Sequence, residues 1–171
     1  AAVEWMRDLG LIDTLAQTED MAKSVPDSGG CYFVPAFSGL GAPYWDQYAR
    51  GAIVGVTRGT TRAHLVRAAL EASAYQVVAV IGAIEDDTGS EIGALKIDGG
   101  MSANDFVAQF QADLSDIDVV RPLNIETTSM GAAYMAGLTA GFWKNTTEIS
   151  GTWKEERSFR PYMDMDERAS L

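Results

Sequence analysis

"IDGGMSAND", residues 97–105, is where two patterns meet. Ahead of it, ALKID (94–98) reads as a strand. Behind it, Phe106, Phe110 and Leu114 recur four apart with Val107 beside them, which predicts one face of a helix. Between the two lie Gly99 and Gly100. A strand that turns through glycines into a helix is a unit of layered α/β architecture. In such sheets ligands gather at the carboxyl ends of the strands. The start of the helix presents free N–H groups and the positive end of its dipole. Glycine lets a phosphate or ribose approach with no Cβ in the way. Asn104 carries both a donor and an acceptor, which suits an adenine edge or a ribose hydroxyl. The same letters also describe a tight strand-to-helix turn with Ser102 as its cap, because short glycine motifs are weak signals. Spacing alone leaves both readings open. Asp98 is likewise either a base or magnesium partner, or a cap on the turn.

Working outward toward the carboxyl end, IDVV (117–120) reads as a second strand closed by Pro122. SMGAAYMAGLTAGFW (129–143) predicts a last helix with Ser129 as cap. Its small residues, among them Gly131, Ala133 and Gly137, let another backbone approach closely. Glycine inside a helix costs about 1 kcal/mol relative to alanine, so close packing must offset it. From Lys144 onward the chain turns polar and charged. YMDMDE (162–167) has neither the spacing nor the glycine of a calcium loop.

Toward the amino end, the spacing of Val66, Leu70, Ser73, Val77, Val80, Ile81 and Ile84 predicts the longest helix. Thr60 or Thr61 can accept from a free N–H of its first turn. The helix should end near Asp87, with Gly89 as a left-handed stop. His64 in its first turn reads as a surface residue. Arg58 and Arg62 reach a phosphate or lie in solvent; side-chain type favours solvent. YFVPAF (32–37) and AIVGVT (52–57) read as strands flanking the loop SGLGAPYWDQYARG (38–51). Tyr44, Trp45 and Tyr48 call for burial, so that loop should pack onto something. Val3, Trp5, Met6 and Leu9 mark one short helical face, and Leu11 to Met21 a second amphipathic stretch. The order strand, helix, strand, helix, strand, helix predicts an α/β domain. Its sheet should be mixed, because 32–57 looks like a hairpin ahead of the crossover helix.

Composition narrows the function classes. With 171 residues, 47% hydrophobic and 22% charged, the chain can bury one core but is too short to expect two full domains. No run of about 18 apolar residues predicts a membrane span. A net charge of -11 repels nucleic acid and anionic lipid, so neither is an expected partner. Cys31 is the only cysteine, which precludes an internal disulfide and suits a reducing, cytoplasmic compartment. His64 is the only histidine, which argues against a zinc site and against a nucleophile–histidine pair of hydrolase type, unless His64 supplies it. No metal-ligating residues are assigned. AAVEWMRDLG (1–10) reads as a helix already under way, which hints at a piece of a longer protein.

Taken in order, VPAFSGLGAPYWDQYARGAIVGVTRGTT (34–61), EASAYQ (71–76), IDGGMSANDFVAQFQADL (97–114) and MGAAYMAGLTAGFW (130–143) resemble the carboxy-terminal domain of the FGGY family of carbohydrate kinases. The resemblance runs from about residue 1 to about residue 161. The GLGAPYWD loop is similar to the glycerol kinase branch rather than to the xylulose or gluconate branches. The resemblance implies an actin-like, ribonuclease H-like ATPase fold, with residues 1–171 forming the carboxy-terminal domain and the amino-terminal domain lying outside this chain. It implies ATP with Mg2+ as cofactor, ATP and ADP as ligands, and phosphoryl transfer to glycerol giving sn-glycerol 3-phosphate. It sets Gly99 and Gly100 against the nucleotide and Asn104 at the adenine end. It also implies a nucleotide-contacting glutamine just before Trp5. Glu4 stands there instead, and a carboxylate cannot donate as an amide does. The glycerol contacts and the catalytic base belong, by the same resemblance, to the amino-terminal domain, so no catalytic residue is assigned here. Two alternatives remain: another sugar kinase of the family, of xylulose, ribulose or gluconate type, or a non-catalytic nucleotide-binding module on an actin-like fold. Whether the longer protein forms a homo-oligomer is left open.

Overall fold

The computed structural model describes residues 2–171. The chain gathers into two compact units, Ala1–Ile92 and Gly93–Leu171.

The first unit is organised by one long helix. It runs α1 (Ala2–Asp8), α2 (Gln17–Lys23), β1 (Tyr32–Val34), β2 (Ala52–Val54) and α3 (Arg62–Thr88). An alanine-rich face of α3 buries Val66, Ala68, Ala69, Leu70, Ala72 and Ala74, so neighbouring elements can approach closely. α1, α2 and β1 all pack on this helix. Met6, Ile12 and Leu70 are nearly inaccessible to solvent. α3 ends as the sequence predicts: Gly89 takes φ 64° and its N–H donates to the Glu85 carbonyl. Its start differs from expectation at His64, whose ring Nδ1 accepts the Thr61 N–H at 3.0 Å and closes the helix end. Among the described residues α3 is the one helix long and apolar enough to cross a membrane. Its packing against three other elements is that of a core helix. The stretch expected to be helical from Leu11 to Met21 begins its helix only at Gln17. Gly10, at φ 73°, turns the chain out of α1, and the Leu11 N–H closes back on the Met6 carbonyl.

β1 and β2 pair antiparallel, with Phe33 opposite Ile53. They form a two-stranded sheet of their own. The 38–48 loop between them departs from expectation, because its rings face solvent: Tyr44 is 60%, Trp45 79% and Tyr48 80% exposed. The loop holds itself with its backbone. Leu40 N–H donates to the Asp46 carbonyl at 2.7 Å, and the Asp46 carboxylate accepts the Tyr48 and Ala49 N–H groups.

The second unit contains β3 (Ala94–Lys96), a 3-10 turn (Gly100–Ala103), α4 (Asp105–Ser115), β4 (Asp118–Pro122), α5 (Thr127–Thr139), α6 (Thr146–Ser150), β5 (Glu155–Phe159) and α7 (Met165–Ala169). β3 pairs parallel with β4, and β4 pairs antiparallel with β5. The sheet is therefore mixed, but through β5 and not through the early hairpin. Pattern reading passed over β5 because EERSF offers one buried residue, Phe159, among charges. The core joins Ala108 and Ala112 of α4 to Val119 and Phe159. Phe106 and Phe110 share one face of α4, as the spacing predicts, with their rings stacked at 6.0 Å and Phe110 buried.

α5 also differs from expectation. It starts at Thr127, two residues early, with Glu126 as an N-cap that makes no side-chain hydrogen bond. Ser129 does not cap it; its hydroxyl donates to the Glu126 carbonyl. The small residue at Gly137 admits a side chain and not a backbone, because a Cβ there would meet the Trp143 ring at 2.2 Å.

Candidate functional site

Three of the four residues singled out by sequence, Gly99, Gly100 and Asn104, fall in one turn between β3 and α4. The fourth, Glu4, lies exposed in the first turn of α1, in the first unit.

The turn is built in steps. Past β3, the Ile97 N–H still donates to the Val120 carbonyl, so the strand direction is carried to the glycines. Gly99 then takes φ 77° and ψ 174°, a backbone conformation that a Cβ disfavours. Its N–H donates to the Ile125 carbonyl at 2.8 Å, and its carbonyl accepts both the N–H and the hydroxyl of buried Ser102. The turn itself therefore requires a glycine at 99.

Gly100 is different. Its φ lies outside the left-handed region, and a Cβ built on it would meet no atom within 4 Å. Neither backbone conformation nor packing within the chain requires glycine there. The residue is exposed, with open space above it.

Asn104 is the N-cap of α4, a role the plain-turn reading gives to Ser102. Its Oδ1 accepts the Val107 N–H at 3.1 Å, which satisfies one of the free donors of the first turn. Asp98, at the strand end, accepts a hydrogen bond from the Thr127 hydroxyl and so ties the turn to the first residue of α5.

Beneath the turn lies a group that sequence reading missed. Arg121 of β4 is only 8% exposed. Its Nη1 donates to the Ser102 carbonyl and to Asp105 Oδ1, each at 2.8 Å, and its Nε donates to Glu156 at 2.7 Å. Arg157 closes the group through the other oxygen of Asp105. Two cations and two carboxylates balance. Burial works against the Arg121 charge, yet the hydrogen bonds to Glu156 and Asp105 prevail and hold its pKa above the ordinary arginine value. One signal was available in the sequence: with a strand period of two, Arg121 falls on the same face as core residue Val119.

The arrangement offers an anion or a sugar hydroxyl an unobstructed backbone at Gly100, beside a polar helix start. It offers no metal cage: the described residues contain no cluster of three or more His, Cys, Asp or Glu side chains.

Residues 1–140 match the model of the FGGY family of carbohydrate kinases, C-terminal domain. The chain belongs to the FGGY family of carbohydrate kinases. FGGY kinases among the solved structures share its fold, which is the mixed α/β fold of the actin-like ATPases. A glycerol kinase from Plasmodium falciparum, crystallised with ADP, superposes with a TM-score of 0.84 at 35% identity, covering 98% of this chain and 34% of that one. A ligand-bound xylulose kinase from Lactobacillus acidophilus gives 0.79 at 25% identity, covering 99% and 34%. By sequence, Glycerol kinase 2 of Sulfolobus acidocaldarius is 55% identical over all of this chain and 35% of its own length. The FGGY chain described here thus spans about a third of the length of the curated relatives it matches.

Proposed function

We propose that this chain is the nucleotide-binding part of a glycerol kinase, and that the longer protein transfers the γ-phosphoryl group of ATP to glycerol, giving sn-glycerol 3-phosphate. The observation that carries the proposal is the 55% identity to a glycerol kinase along the whole chain; among the solved structures, a glycerol kinase is 35% and a xylulose kinase 25% identical. The geometry supports the nucleotide half of the reading. Gly100 is a glycine that its own fold does not need, and a ligand that must lie against the backbone supplies the reason.

In this reading the turn binds and orients ATP or ADP. Gly99 and Gly100 admit the ribose and phosphates to the backbone, and Asn104 meets the adenine end while its Oδ1 caps α4. The helix start contributes N–H groups and a favourable dipole. Glu4, with its carboxylate, is not expected to help an anionic ligand. Magnesium would neutralise charge on the β- and γ-phosphates when bound. Among the described residues no three His, Cys, Asp or Glu side chains gather to hold it. The general base and the glycerol contacts are assigned to the part of the enzyme beyond this chain. General-base chemistry needs a group within hydrogen-bond reach of the attacking hydroxyl, and none of the turn residues fills that role.

The test is ADP formation by the full-length kinase with ATP, magnesium and either glycerol, xylulose or gluconate. Glycerol should give the highest kcat/KM, with glycerol 3-phosphate as product. A preference for xylulose would move the protein to the other branch. The isolated chain of 171 residues should form no glycerol 3-phosphate above background. Turnover by that purified chain would overturn the allocation of the base.

A further inference from the structure

We propose that Arg121 is a positioning residue for the nucleotide, acting through the turn that carries Gly100 and Asn104. The inference rests on the nucleotide reading of that turn.

β4 points Val119 and Arg121 to the same side of the sheet. Val119 enters the core with Ala108, Ala112 and Phe159. Two residues on, where α4 begins, the same row presents a guanidinium instead of another aliphatic side chain. Stability alone does not account for it. Buried ion pairs replaced by well-packed apolar residues are often neutral or more stable, because desolvation offsets the Coulomb gain. A charged fork does, however, fix direction in a way that an aliphatic side chain does not.

The fork holds the turn from below at two points. It takes the carbonyl of Ser102 and the carboxylate of Asp105, the residues on either side of Ala103 and Asn104. Ser102 in turn holds the Gly99 carbonyl through both its N–H and its hydroxyl. Glu156 fixes the guanidinium from β5, and the ring of Phe159 lies 5.2 Å from its centre. A chain of hydrogen bonds therefore runs from the sheet through Ser102 to Gly99, and the fork also grips Asp105, the residue next to Asn104. None of these bonds uses the open space above Gly100. Arg121 sets where the contacts stand without occupying the place of the ligand.

The test uses the full-length kinase with Arg121→Met, Arg121→Lys, Gly100→Val and, as a matched core control, Val119→Ala. Melting temperature, the dissociation constant for ADP and the KM values for ATP and glycerol are measured together. Arg121→Met should weaken ADP binding about fivefold, equivalent to about 1 kcal/mol, with the KM for glycerol within about twofold of wild type. Arg121→Lys should recover little of this, because an ammonium keeps the charge but not the fork. Val119→Ala should lower the melting temperature and leave ADP binding alone. If Arg121→Met does not fold, Glu156→Gln serves in its place, with about a twofold loss expected from a weaker brace on the guanidinium. Unchanged ADP binding in Arg121→Met, or in Glu156→Gln where it must stand in, overturns the inference if Gly100→Val still weakens binding. If Gly100→Val also binds normally, the nucleotide reading itself falls. A loss of ADP affinity in Val119→Ala equal to that in Arg121→Met would show a merely structural effect and overturn the inference as well.

Discussion

Two glycine-bearing loops of this chain, 38–48 and 98–104, are held in opposite ways. The first is braced by its own backbone and turns its aromatic rings to solvent. The second is braced by a buried arginine from the sheet and leaves an empty volume above one glycine. Their glycines differ accordingly. Gly39 sits at φ 96°, and a Cβ there would lie 2.7 Å from the Asp46 carbonyl. Gly100 meets neither constraint. What a glycine is for becomes visible by asking what a Cβ would strike. Where it strikes the protein's own backbone, the glycine serves the fold. Where it strikes nothing and φ is ordinary, as at Gly100, neither packing nor backbone conformation accounts for the glycine.

That contrast breaks most directly at Gly39. Gly39→Val forces a branched side chain into left-handed backbone and against a carbonyl, and should cost on the order of 3 kcal/mol. Thermal melting of the full-length protein checks it, and an unshifted transition would dissolve the distinction. Gly100→Val should do the reverse. Stability should stay within about 0.5 kcal/mol of wild type, as at an unconstrained surface position. The KM for ATP should rise about tenfold, equivalent to about 1.4 kcal/mol. Normal ATP kinetics in folded Gly100→Val enzyme would leave that glycine without a purpose.

Asn104 sharpens the comparison, because it serves both sides. Asn104→Ala removes the cap on α4 and should cost about 1 kcal/mol of stability, with a several-fold rise in the KM for ATP. Asn104→Asp separates the roles. A carboxylate still accepts the Val107 N–H, so the cap survives, but the amide donor is gone. Wild-type stability with a raised KM for ATP is expected. Wild-type values of both would make Asn104 a cap alone.

The smallest effect concerns a second segment braced from beneath. Arg67 of α3 donates to the Val25 carbonyl at 2.7 Å and pairs with buried Glu71 at the same distance. Burial raises the Glu71 pKa against the opposing pull of Arg67. An acid whose folded pKa is raised contributes stability that is complete below the unfolded value of 4.5 and lost as pH rises through the folded value. Wild type should therefore gain stability relative to Glu71→Gln as pH falls from neutral toward 4.5, read by denaturant titration at each pH. The opposite slope would mean that Arg67 outweighs burial.

How far these features could be read from letters depended on how many signals coincided. The end of α3 was legible because the apolar stripe stops where Gly89 offers a left-handed residue. The turn at 97–105 was legible as strand, glycines and helix. Its cap lies at Asn104, two residues beyond the Ser102 of the plain-turn reading, since both are good caps and only the 3-10 turn decides between them. The start of α5 was missed because no side chain caps it, so composition carried no mark. Arg121 was invisible as a brace because its three acceptors are a carbonyl and two carboxylates from separate elements. No local pattern records such a meeting. The exposed rings of Tyr44, Trp45 and Tyr48 ran against a burial rule that holds on average and gives no guarantee for a single loop.

The charges that concealed β5 from a pattern reading also bear on how the protein behaves in crowded solution. β5 is an edge of its sheet, with one side of its backbone unpaired by β4. An open edge is a template on which a second chain can add a strand. Here Glu155, Glu156, Arg157 and Ser158 all remain exposed along it, two of them in ion pairs, and only Phe159 is buried. A foreign strand would have to approach a row of solvated charges. The segment is in effect its own guard against self-association, at a place where a more readable, more hydrophobic strand would have invited it.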